Sequence, residues 1–336
     1  MSAAPALGPD PALAPPLRWG ILAPGGIARK FARELHRYTS SRVVAVGSRS
    51  LERAEAFASE FNAGTAYGSY AELVADPRVE AVYVCSPHSH HREHALLAIE
   101  AGRHVLVEKA FARNRAEAEE VFTAARLAGV FAMEAMWTRF LPHVRALRDL
   151  VAAGAIGEIT HVYAAHGQPI AQVPRMARPD LAGGALLDLG VYPISFTHDL
   201  LGPPEEITSA GILTDAGVDA NVGVVLTYPN AVATLSTTML ARTRNVAEIA
   251  GTAGTIRVTD TFYHPSARLE VTGADGEERV IDPGAEGGFQ FEAAAVARAV
   301  AAGETASELM SWQGTLDVMS TMDTIRGQLG VTFPGE

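Results

Sequence analysis

The sequence predicts an α/β protein in which a doubly wound parallel sheet comes first and an α+β domain with a large, mostly antiparallel open sheet follows. Three observations support this prediction. Short β-branched segments alternate with amphipathic helical segments over residues 17–136. The first of these strands ends in a glycine-rich turn that leads directly into a helix. From residue 159 the pattern changes to longer alternating segments joined by hairpin-like turns.

The composition is that of a globular chain that can bury a large core. The 336 residues are 48% hydrophobic and allow two domains of ordinary size. The only cysteine, Cys85, excludes a disulfide framework and favours a reducing, cytoplasmic compartment. The net charge of −11 argues against a nucleic-acid partner. No apolar run reaches the roughly 18 residues of a membrane span, so no membrane partner is expected.

The N-terminal residues 1–16 are set apart by composition. They are rich in Ala and Pro, and no basic residues precede an apolar segment, so they do not read as a signal peptide. We expect residues 1–16 to be a disordered tail.

The first strand, turn and helix form the segment around which the chain is organised. A strand is predicted over 17–22, a tight turn over 23–26 and a helix from Ile27. Backbone N–H groups in such a turn can approach a phosphate, and the helix N-terminus adds partial positive charge. The turn departs from the G-x-G-x-x-G pattern, and a strand–turn–helix unit also occurs without a ligand. The residues expected to contact a dinucleotide here are Gly20, Ala23, Gly25, Gly26 and Ile27.

The end of the second strand indicates which dinucleotide is bound. The strand Arg42 to Gly47 is followed by Ser48, Arg49 and Ser50, and no acidic residue occurs before Glu52. NAD sites place an acidic residue here to bind the ribose hydroxyls, whereas an arginine flanked by hydroxyls suits a 2′-phosphate. NADP is therefore favoured over NAD. The alternative is a solvated arginine at a helix start.

The following elements complete the parallel sheet. Further strands are predicted over 81–85, 104–107 and 131–134, and the strand 131–134 is taken as the sixth strand of the parallel sheet. Helices fill the connections, and two of them begin with capping boxes, Ser69 with Glu72 and Asn114 with Glu117. This alternation predicts a Rossmann domain over 17–136, followed by a substrate-binding and oligomerisation domain over 137–336.

Four histidines follow the strand 81–85, which raises the question of a metal site. His90 and His94 are one helical turn apart, but no cysteine or acidic residue at suitable spacing completes a ligand set. No metal is therefore predicted. The alternative is a polar loop at the carboxyl end of a strand, which is where ligands lie in such sheets. The four residues are His88, His90, His91 and His94.

The second half is predicted to form an open antiparallel sheet. Helices over 183–201 and 289–302 are expected to cover one face, and a helix over 142–153 precedes the sheet. The last helix, 308–329, could return to the first domain. Because an open sheet face is usually buried against a partner, we expect a homodimer through that face. The predicted strands are 159–166, 222–228, 231–239, 246–251, 255–259, 268–272 and 278–281.

The segment G-G-A-L-L-D-L-G-V-Y from Gly183 carries candidate catalytic groups. Asp188 and Tyr192 are four residues apart and would share one face of a helix. Alternatively, Asp188 is an acid favoured by the helix dipole and Tyr192 a core aromatic. Lys109 follows a strand at its carboxyl end, where a nicotinamide would lie.

Together these motifs resemble those of the Gfo/Idh/MocA oxidoreductases. The resemblance rests on W-G-I-L-A-P-G-G-I-A, S-P-H-S-H-H-R-E-H-A, A-G-R-H-V-L-V-E-K-A, M-E-A-M-W-T-R-F and G-G-A-L-L-D-L-G-V-Y. The ending G-V-T-F-P is similar to the branch that contains the dimeric dihydrodiol dehydrogenases and the NADP-dependent D-xylose 1-dehydrogenases.

The resemblance implies roles for individual residues. Lys109 would orient the substrate and assist proton transfer, Tyr192 would act as the base, and Asp188 would orient a polyol. A lysine ammonium close to a tyrosine lowers the pKa of the phenol. His91 matches a family histidine with a structural role. Expected cofactor contacts also include Ser86, Pro87, His88, His91, Glu108 and Lys109, and expected substrate contacts are Trp137, Arg139, His166, Asp188 and Tyr192.

Two departures from the family pattern bear on this reading. Ala110 replaces the proline of the E-K-P motif, so it is open whether Lys109 is aimed by a trans bond or by a cis bond of the kind common in relatives. His88 stands where an asparagine is common, near the nicotinamide in relatives. The implied function is an NADP-dependent dehydrogenase of a sugar or cyclic diol. The alternatives are a ketosugar reductase and a non-catalytic, cofactor-binding sensor.

Overall fold

The computed structural model describes residues 8–336, which divide into two compact units. The N-terminal unit comprises residues 9–137 and 287–316, and the C-terminal unit comprises 138–286 and 317–336. The chain therefore returns to the first unit after residue 286, which differs from a single predicted boundary at 136/137.

The N-terminal unit contains a six-stranded parallel sheet in the order β3-β2-β1-β4-β5-β6. This is a doubly wound order, with the switch between β1 and β4, and it confirms the predicted Rossmann architecture. The edge strand β3 was not predicted as a separate element. The strands are β1 Arg18–Leu22, β2 Arg42–Gly47, β3 Thr65–Tyr67, β4 Ala81–Val84, β5 His104–Glu108 and β6 Ala132–Ala135.

Helices connect these strands, and two of the helices are capped by the preceding residue, as predicted. The Ser69 hydroxyl accepts a hydrogen bond from the backbone N–H of Glu72 and donates one to the Glu72 carboxylate. The Asn114 side chain accepts from the N–H of Glu117. The helices are α1 Gly26–Tyr38, α2 Leu51–Phe61, α3 Tyr70–Ala75, α4 His91–Glu100 and α5 Arg115–Ala128.

The segment 287–316 packs on the N-terminal unit, which corrects the prediction that helix 289–302 covers the second sheet. This helix, α8 (Phe289–Ala301), packs against α1, and the Glu34 carboxylate accepts from the N–H groups of Gly288 and Phe289 at 2.7 and 2.8 Å. Glu34 thereby supplies acceptors for N–H groups at the start of α8. The last helix, α9 (Trp312–Leu329), begins in this unit, where the Trp312 indole donates to the carbonyl of Ala132.

The predicted disordered tail, 1–16, lies partly outside the described residues, which begin at residue 8. Within the described part, Pro11–Leu13 form a short 3₁₀ helix, and Ala14 is buried. The guanidinium of Arg298 donates to the carbonyl of Asp10. Residues 10–16 are therefore ordered, because α8 supplies packing and a hydrogen-bond donor that the local composition does not reveal.

The C-terminal unit contains an eight-stranded sheet in the order β14-β13-β12-β11-β7-β10-β9-β8. Only the β7–β10 pair is parallel among these neighbours, so the mostly antiparallel prediction is confirmed. The edge strand β8 was not predicted. The strands are β7 Ile159–Gly167, β8 Glu206–Leu213, β9 Asp219–Thr227, β10 Val232–Thr238, β11 Ala247–Gly251, β12 Gly254–Val258, β13 Leu269–Gly273 and β14 Glu278–Ile281.

The helices of this unit include α6 (Pro142–Ala152) and α7 (Val191–Leu201), and the candidate Tyr192 lies in α7. A π-helical turn, Leu186–Gly190, leads into α7, so the predicted helix over 183–201 begins three residues later and is not uniformly α-helical. The turn and α7 pack on β7 and β10. Within residues 8–336, no helix combines the length and hydropathy needed to cross a bilayer.

Candidate active site

The turn after β1 has the backbone geometry of an anion site. Gly25 is the N-cap of α1 and has no side chain to cap the first N–H groups, and a Cβ placed on Gly26 would meet no atom within 4 Å. The first turn of α1 is therefore open to a phosphate. Ala23 takes a left-handed backbone (φ 68°) and its N–H donates to the Gly47 carbonyl. Such a conformation is uncommon for a non-glycine residue and is found at functional turns.

Gly20 does not belong to this turn, contrary to the prediction. It lies inside β1, where an added Cβ would come within 2.9 Å of the Val79 side chain. Its role is close packing under the sheet rather than cofactor contact. Ile27 is the second residue of α1 and lies beside the open first turn.

A cavity of about 490 Å³ lies beside the turn, at the carboxyl ends of β1, β2 and β4. Arg49 lines it, and so does Arg53 in the first turn of α2, which the sequence reading missed. Burial raises the pKa of the Tyr70 phenol, and the positive charge of the nearby Arg49 opposes that rise. The cavity lining is Ala23, Pro24, Gly25, Ser48, Arg49, Ser50, Arg53, Tyr70, Cys85, Ser86 and Pro87.

Two serines shape the basic side of this cavity. The Ser48 hydroxyl accepts from the N–H of Ser50, and the Ser50 hydroxyl accepts from the N–H of Arg53 to cap α2. Two guanidinium groups, beside hydroxyls and a helix N-terminus, form a positively charged site whose donors suit a phosphate monoester. The 2′-phosphate of NADP is such a group, and the residues present fit it.

His91 is a structural residue rather than a cofactor contact, which corrects its place among the predicted cofactor ligands. Its ring is buried between two backbone carbonyls, Ser86 O at 2.7 Å and Ala110 O at 2.9 Å. Burial lowers its pKa to about 4, so the ring is neutral at neutral pH and donates to one of the two carbonyls. His91 thus joins the end of β4 to the segment after Lys109.

The other histidines also make local contacts. The His88 ring nitrogen lies 3.3 Å from the Lys109 carbonyl, and the His94 ring nitrogen lies 2.9 Å from the Ser86 hydroxyl. Over the described part of the chain, no group of three or more His, Cys, Asp or Glu side chains is arranged to hold a metal ion.

Lys109 stands at the carboxyl end of β5, as predicted, and the Lys109–Ala110 peptide bond is cis. The preceding Glu108 is buried and accepts a hydrogen bond from the Tyr83 hydroxyl. The Glu108 side chain is therefore held by Tyr83 at the end of β5, and its predicted cofactor contact stays a prediction. Burial raises the pKa of Tyr83 well above its ordinary value, so this phenol stays protonated and donates.

Trp137 and Arg139 have buried structural contacts, although both were predicted to contact substrate. The Trp137 ring stacks on Phe289 with centroids 5.0 Å apart, and the Lys30 ammonium lies over its face. Arg139 donates to the hydroxyl and the carbonyl of Ser195, on α7. A buried guanidinium requires such partners, so Arg139 anchors α7 to the segment before α6.

The carboxylate of Asp188 is held in the π-helical turn. Its two oxygens lie 3.1 and 3.0 Å from the Arg175 guanidinium, and the Asp188 side chain is buried. Asp219 supports the same turn: its carboxylate accepts from the N–H of Leu186 at 2.5 Å. Burial raises the pKa of Asp219 to about 6. The turn that carries Asp188 is therefore fixed at its start by a buried carboxylate and at its side chain by an ion pair.

Tyr192 lies in the first turn of α7 within a cluster of rings. His166 from β7 contacts its edge at 5.1 Å between centroids, and Tyr263 stacks on it at 5.2 Å. His166 and Tyr263 contact each other at 4.4 Å. His166, which was predicted to contact substrate, therefore lies beside Tyr192, and Tyr263 is a neighbour that the sequence reading missed.

The first unit has a doubly wound sheet with a basic cavity for a phosphate. The second unit presents Asp188 in a π-helical turn and Tyr192 in the helix that follows it. These features are those of a nicotinamide-dependent oxidoreductase. Comparison with known families agrees. The oxidoreductase family, NAD-binding Rossmann fold, matches residues 17–136, and the GFO/IDH/MocA C-terminal domain matches residues 144–257. The chain belongs to the Gfo/Idh/MocA oxidoreductases, as its motifs predicted.

Two curated proteins and one solved structure match nearly the whole of this chain. D-xylose 1-dehydrogenase (NADP(+)) from Hypocrea jecorina is 37% identical, over 95% of this chain and 93% of that protein. Trans-1,2-dihydrobenzene-1,2-diol dehydrogenase from Danio rerio is 37% identical, over 94% and 98%. The crystal structure of KijD10, a 3-ketoreductase from Actinomadura kijaniata in complex with NADP and TDP-benzene, is 30% identical, with a TM-score of 0.83 over 94% and 98% of the two chains.

Proposed function

We propose that this protein is an NADP-dependent dehydrogenase that oxidises a hydroxyl group of a sugar or cyclic diol. The observation that carries the proposal is the pairing of two features: a phosphate cavity with Arg49 and Arg53, and a helix that holds Asp188 and Tyr192. The relatives that share both halves of the chain are dehydrogenases of a sugar and of a cyclic diol.

NADP is proposed as the cofactor over NAD because of charge. Arg49 and Arg53 would bind the 2′-phosphate, and the open first turn of α1 would bind the pyrophosphate. When bound, NADP⁺ supplies the acceptor for the hydride that leaves the carbon bearing the hydroxyl.

The chain itself must then remove one proton. We assign this step to Tyr192, whose phenolate takes the proton of the reacting hydroxyl and becomes a neutral phenol as the carbonyl forms. A free tyrosine has a pKa near 10, and a neighbouring ammonium favours the phenolate. By its match to the family lysine, Lys109 is assigned a hydrogen bond to the reacting oxygen. Asp188, fixed by Arg175, is assigned the orientation of a neighbouring substrate hydroxyl.

The reverse reaction uses the same groups. In that direction Tyr192 returns the proton to the oxygen of a ketosugar, and the 30% identical structure is that of a 3-ketoreductase. Reduction of ketosugars is therefore the second candidate function.

The test is turnover by the purified protein. NADPH formation is followed with aldopyranoses and cyclic diols, and NADPH consumption with ketosugars, alongside a Tyr192→Phe control. Turnover in either direction that is lost in the control supports the proposal. NADP binding without turnover on any of these substrates would contradict it and leave a cofactor-binding sensor.

A homodimer through the open sheet face is also proposed. Tyr163, Thr234 and Val225 lie side by side across β7, β10 and β9 on that face, and Tyr163 and Val225 are 42% and 37% exposed. An exposed tyrosine and an exposed valine in one row of a sheet face favour a second copy as their cover. Val225→Arg should shift the protein to a monomer in sedimentation analysis. Leu127→Arg, at an exposed leucine of α5, is the matched control; a dimer that survives Val225→Arg would contradict the proposal.

A further inference from the structure

The rings around Tyr192 are tied together by hydrogen bonds as well as by packing. The side-chain nitrogen of Gln168 donates to the Tyr263 hydroxyl at 2.9 Å and lies 3.0 Å from Nε2 of His166. The other ring nitrogen of His166 lies 3.1 Å from the Leu189 carbonyl. Because a carbonyl can only accept, Nδ1 carries the proton and Nε2 accepts from Gln168. Gln168 therefore links His166 to Tyr263.

Asn245 holds Tyr263 from a second direction. Its side-chain oxygen accepts from the N–H of Gly167 at 2.8 Å and from the Thr243 hydroxyl at 3.0 Å. These two donors fix the orientation of the amide, so its nitrogen faces the Tyr263 hydroxyl and donates to it at 3.2 Å. The phenol of Tyr263 is thus positioned by two amide groups from separate segments.

The result is a rigid polar surface beside the tyrosine assigned as the base. Gln168, Asn245 and Tyr263 are all half-buried, so water reaches them only in part. The Tyr263 ring lies nearly parallel to that of Tyr192, at an angle of 27°. A bound substrate would displace the remaining water from this surface. An apolar ring would cover this polar surface without replacing the water that it displaces, whereas the hydroxyl groups of a polyol would replace that water.

We propose that Gln168, Tyr263 and Asn245 form a polar wall that selects a substrate with several hydroxyl groups, an aldopyranose, over an apolar cyclic diol. This inference rests on the proposed function, because it assumes that Tyr192 lies at the reacting hydroxyl. It separates the two substrate classes represented among the relatives. Gln168, Tyr263 and Asn245 are specificity-determining residues in this account, and the proton still moves to Tyr192.

The experiment compares kcat/KM for a set of aldopyranoses, with D-xylose among them, and for trans-1,2-cyclohexanediol, with NADP⁺. The variants are Tyr263→Phe, which removes one hydroxyl and keeps the ring, and Gln168→Met. Each should lower kcat/KM for the preferred aldopyranose by about tenfold, mainly through a higher KM, since one hydrogen bond is lost. The value for cyclohexanediol should stay unchanged. Gln313→Met, at an exposed glutamine of α9, is the matched control for Gln168→Met and should change neither value.

The outcomes are distinguishable. NADP affinity and melting temperature of the variants show that each has folded, and Gln168→Met serves if Tyr263→Phe has not. A wild-type preference for cyclohexanediol, or an unchanged preference in both variants, would overturn the polar wall and leave the proposed function intact. Absence of turnover on both substrate classes by the wild type would overturn the proposed function and this inference together.

Discussion

Replacing Arg49 with alanine should weaken the preference of the protein for NADP over NAD. Arg49 lines the cavity beside Ser48 and Ser50, and its guanidinium is one of two positive charges there. The 2′-phosphate distinguishes NADP from NAD, so only NADP would lose an interaction in Arg49→Ala. Arg53, one helical turn away, keeps part of the attraction.

The size of the effect follows from the type of contact. A hydrogen bond to a charged group contributes about 1.5–3 kcal/mol, and 1.4 kcal/mol is a factor of ten. NADP should therefore bind roughly 10- to 150-fold more weakly to Arg49→Ala, while the Kd for NAD should change by less than about threefold. The double variant Arg49→Ala/Arg53→Ala should lose the preference for NADP altogether.

The assay is titration of each variant with NADP and NAD, followed by tryptophan fluorescence or calorimetry. Arg33→Ala is the matched control, because Arg33 is an exposed arginine of α1 whose carboxylate partner lies 4.0 Å away. Its removal changes the net charge equally and should leave the ratio of the two Kd values unchanged. An Arg49→Ala variant that keeps the wild-type ratio would refute the assignment of the cavity.

Two further predictions concern buried carboxyl groups. Burial raises the pKa of Asp219 from 3.8 to about 6, so the folded state binds a proton at Asp219 more tightly than the unfolded state does. The stability that this proton adds is fully present below pH 3.8 and is lost as the pH rises through about 6. One unit of pKa difference corresponds to about 1.36 kcal/mol, so Asp219→Asn should remove roughly 3 kcal/mol of this pH dependence. The measurement is the free energy of urea unfolding of wild type and variant as a function of pH, and parallel curves of the two proteins would contradict the prediction. Glu292 is fully buried without a hydrogen-bond partner for either carboxylate oxygen, and burial raises its pKa well above its ordinary value. Glu292→Gln should therefore raise the melting temperature at pH 8, because the folded wild type must either bury an ionised carboxylate or bind a proton at that pH. A lower melting temperature would show that the carboxylate has a stabilising partner.

The parallel sheet could be predicted closely because its strands are buried on both faces. β2 was predicted from Arg42 to Gly47, with the bounds found in the structure, since a short β-branched segment between turn residues is distinctive. The edge strands β3 and β8 carry little of this signal. β8 is exposed along most of its length, so its residues show no clear alternation of apolar and polar types.

The candidate site was predicted where a motif lies within one segment. The segment with Asp188 and Tyr192 was recognised by their spacing, and the family resemblance supplied their roles; Arg49 was recognised by its place after a strand. Arg53 was not predicted, because it lies inside α2 and only the folded turn brings it to the cavity that Arg49 lines.

Other features depend on contacts between distant segments. Arg139 pairs with Ser195 on α7, and Tyr263 reaches Tyr192 from a turn after β12. The position of α8 on α1 depends on Glu34, more than 250 residues away in the chain. No local pattern specifies such pairings, because hydrophobic periodicity shows which face is buried and not what covers it.

The central claim is that Tyr192 removes the substrate proton in an NADP-dependent oxidation. The most direct measurement compares wild type with Tyr192→Phe for NADPH formation from an aldopyranose, with the NADP Kd determined on the same samples. The account predicts an unchanged Kd and a fall in kcat of at least about 100-fold, the usual contribution of a positioned base. A variant that binds NADP normally and retains near wild-type kcat would contradict the claim.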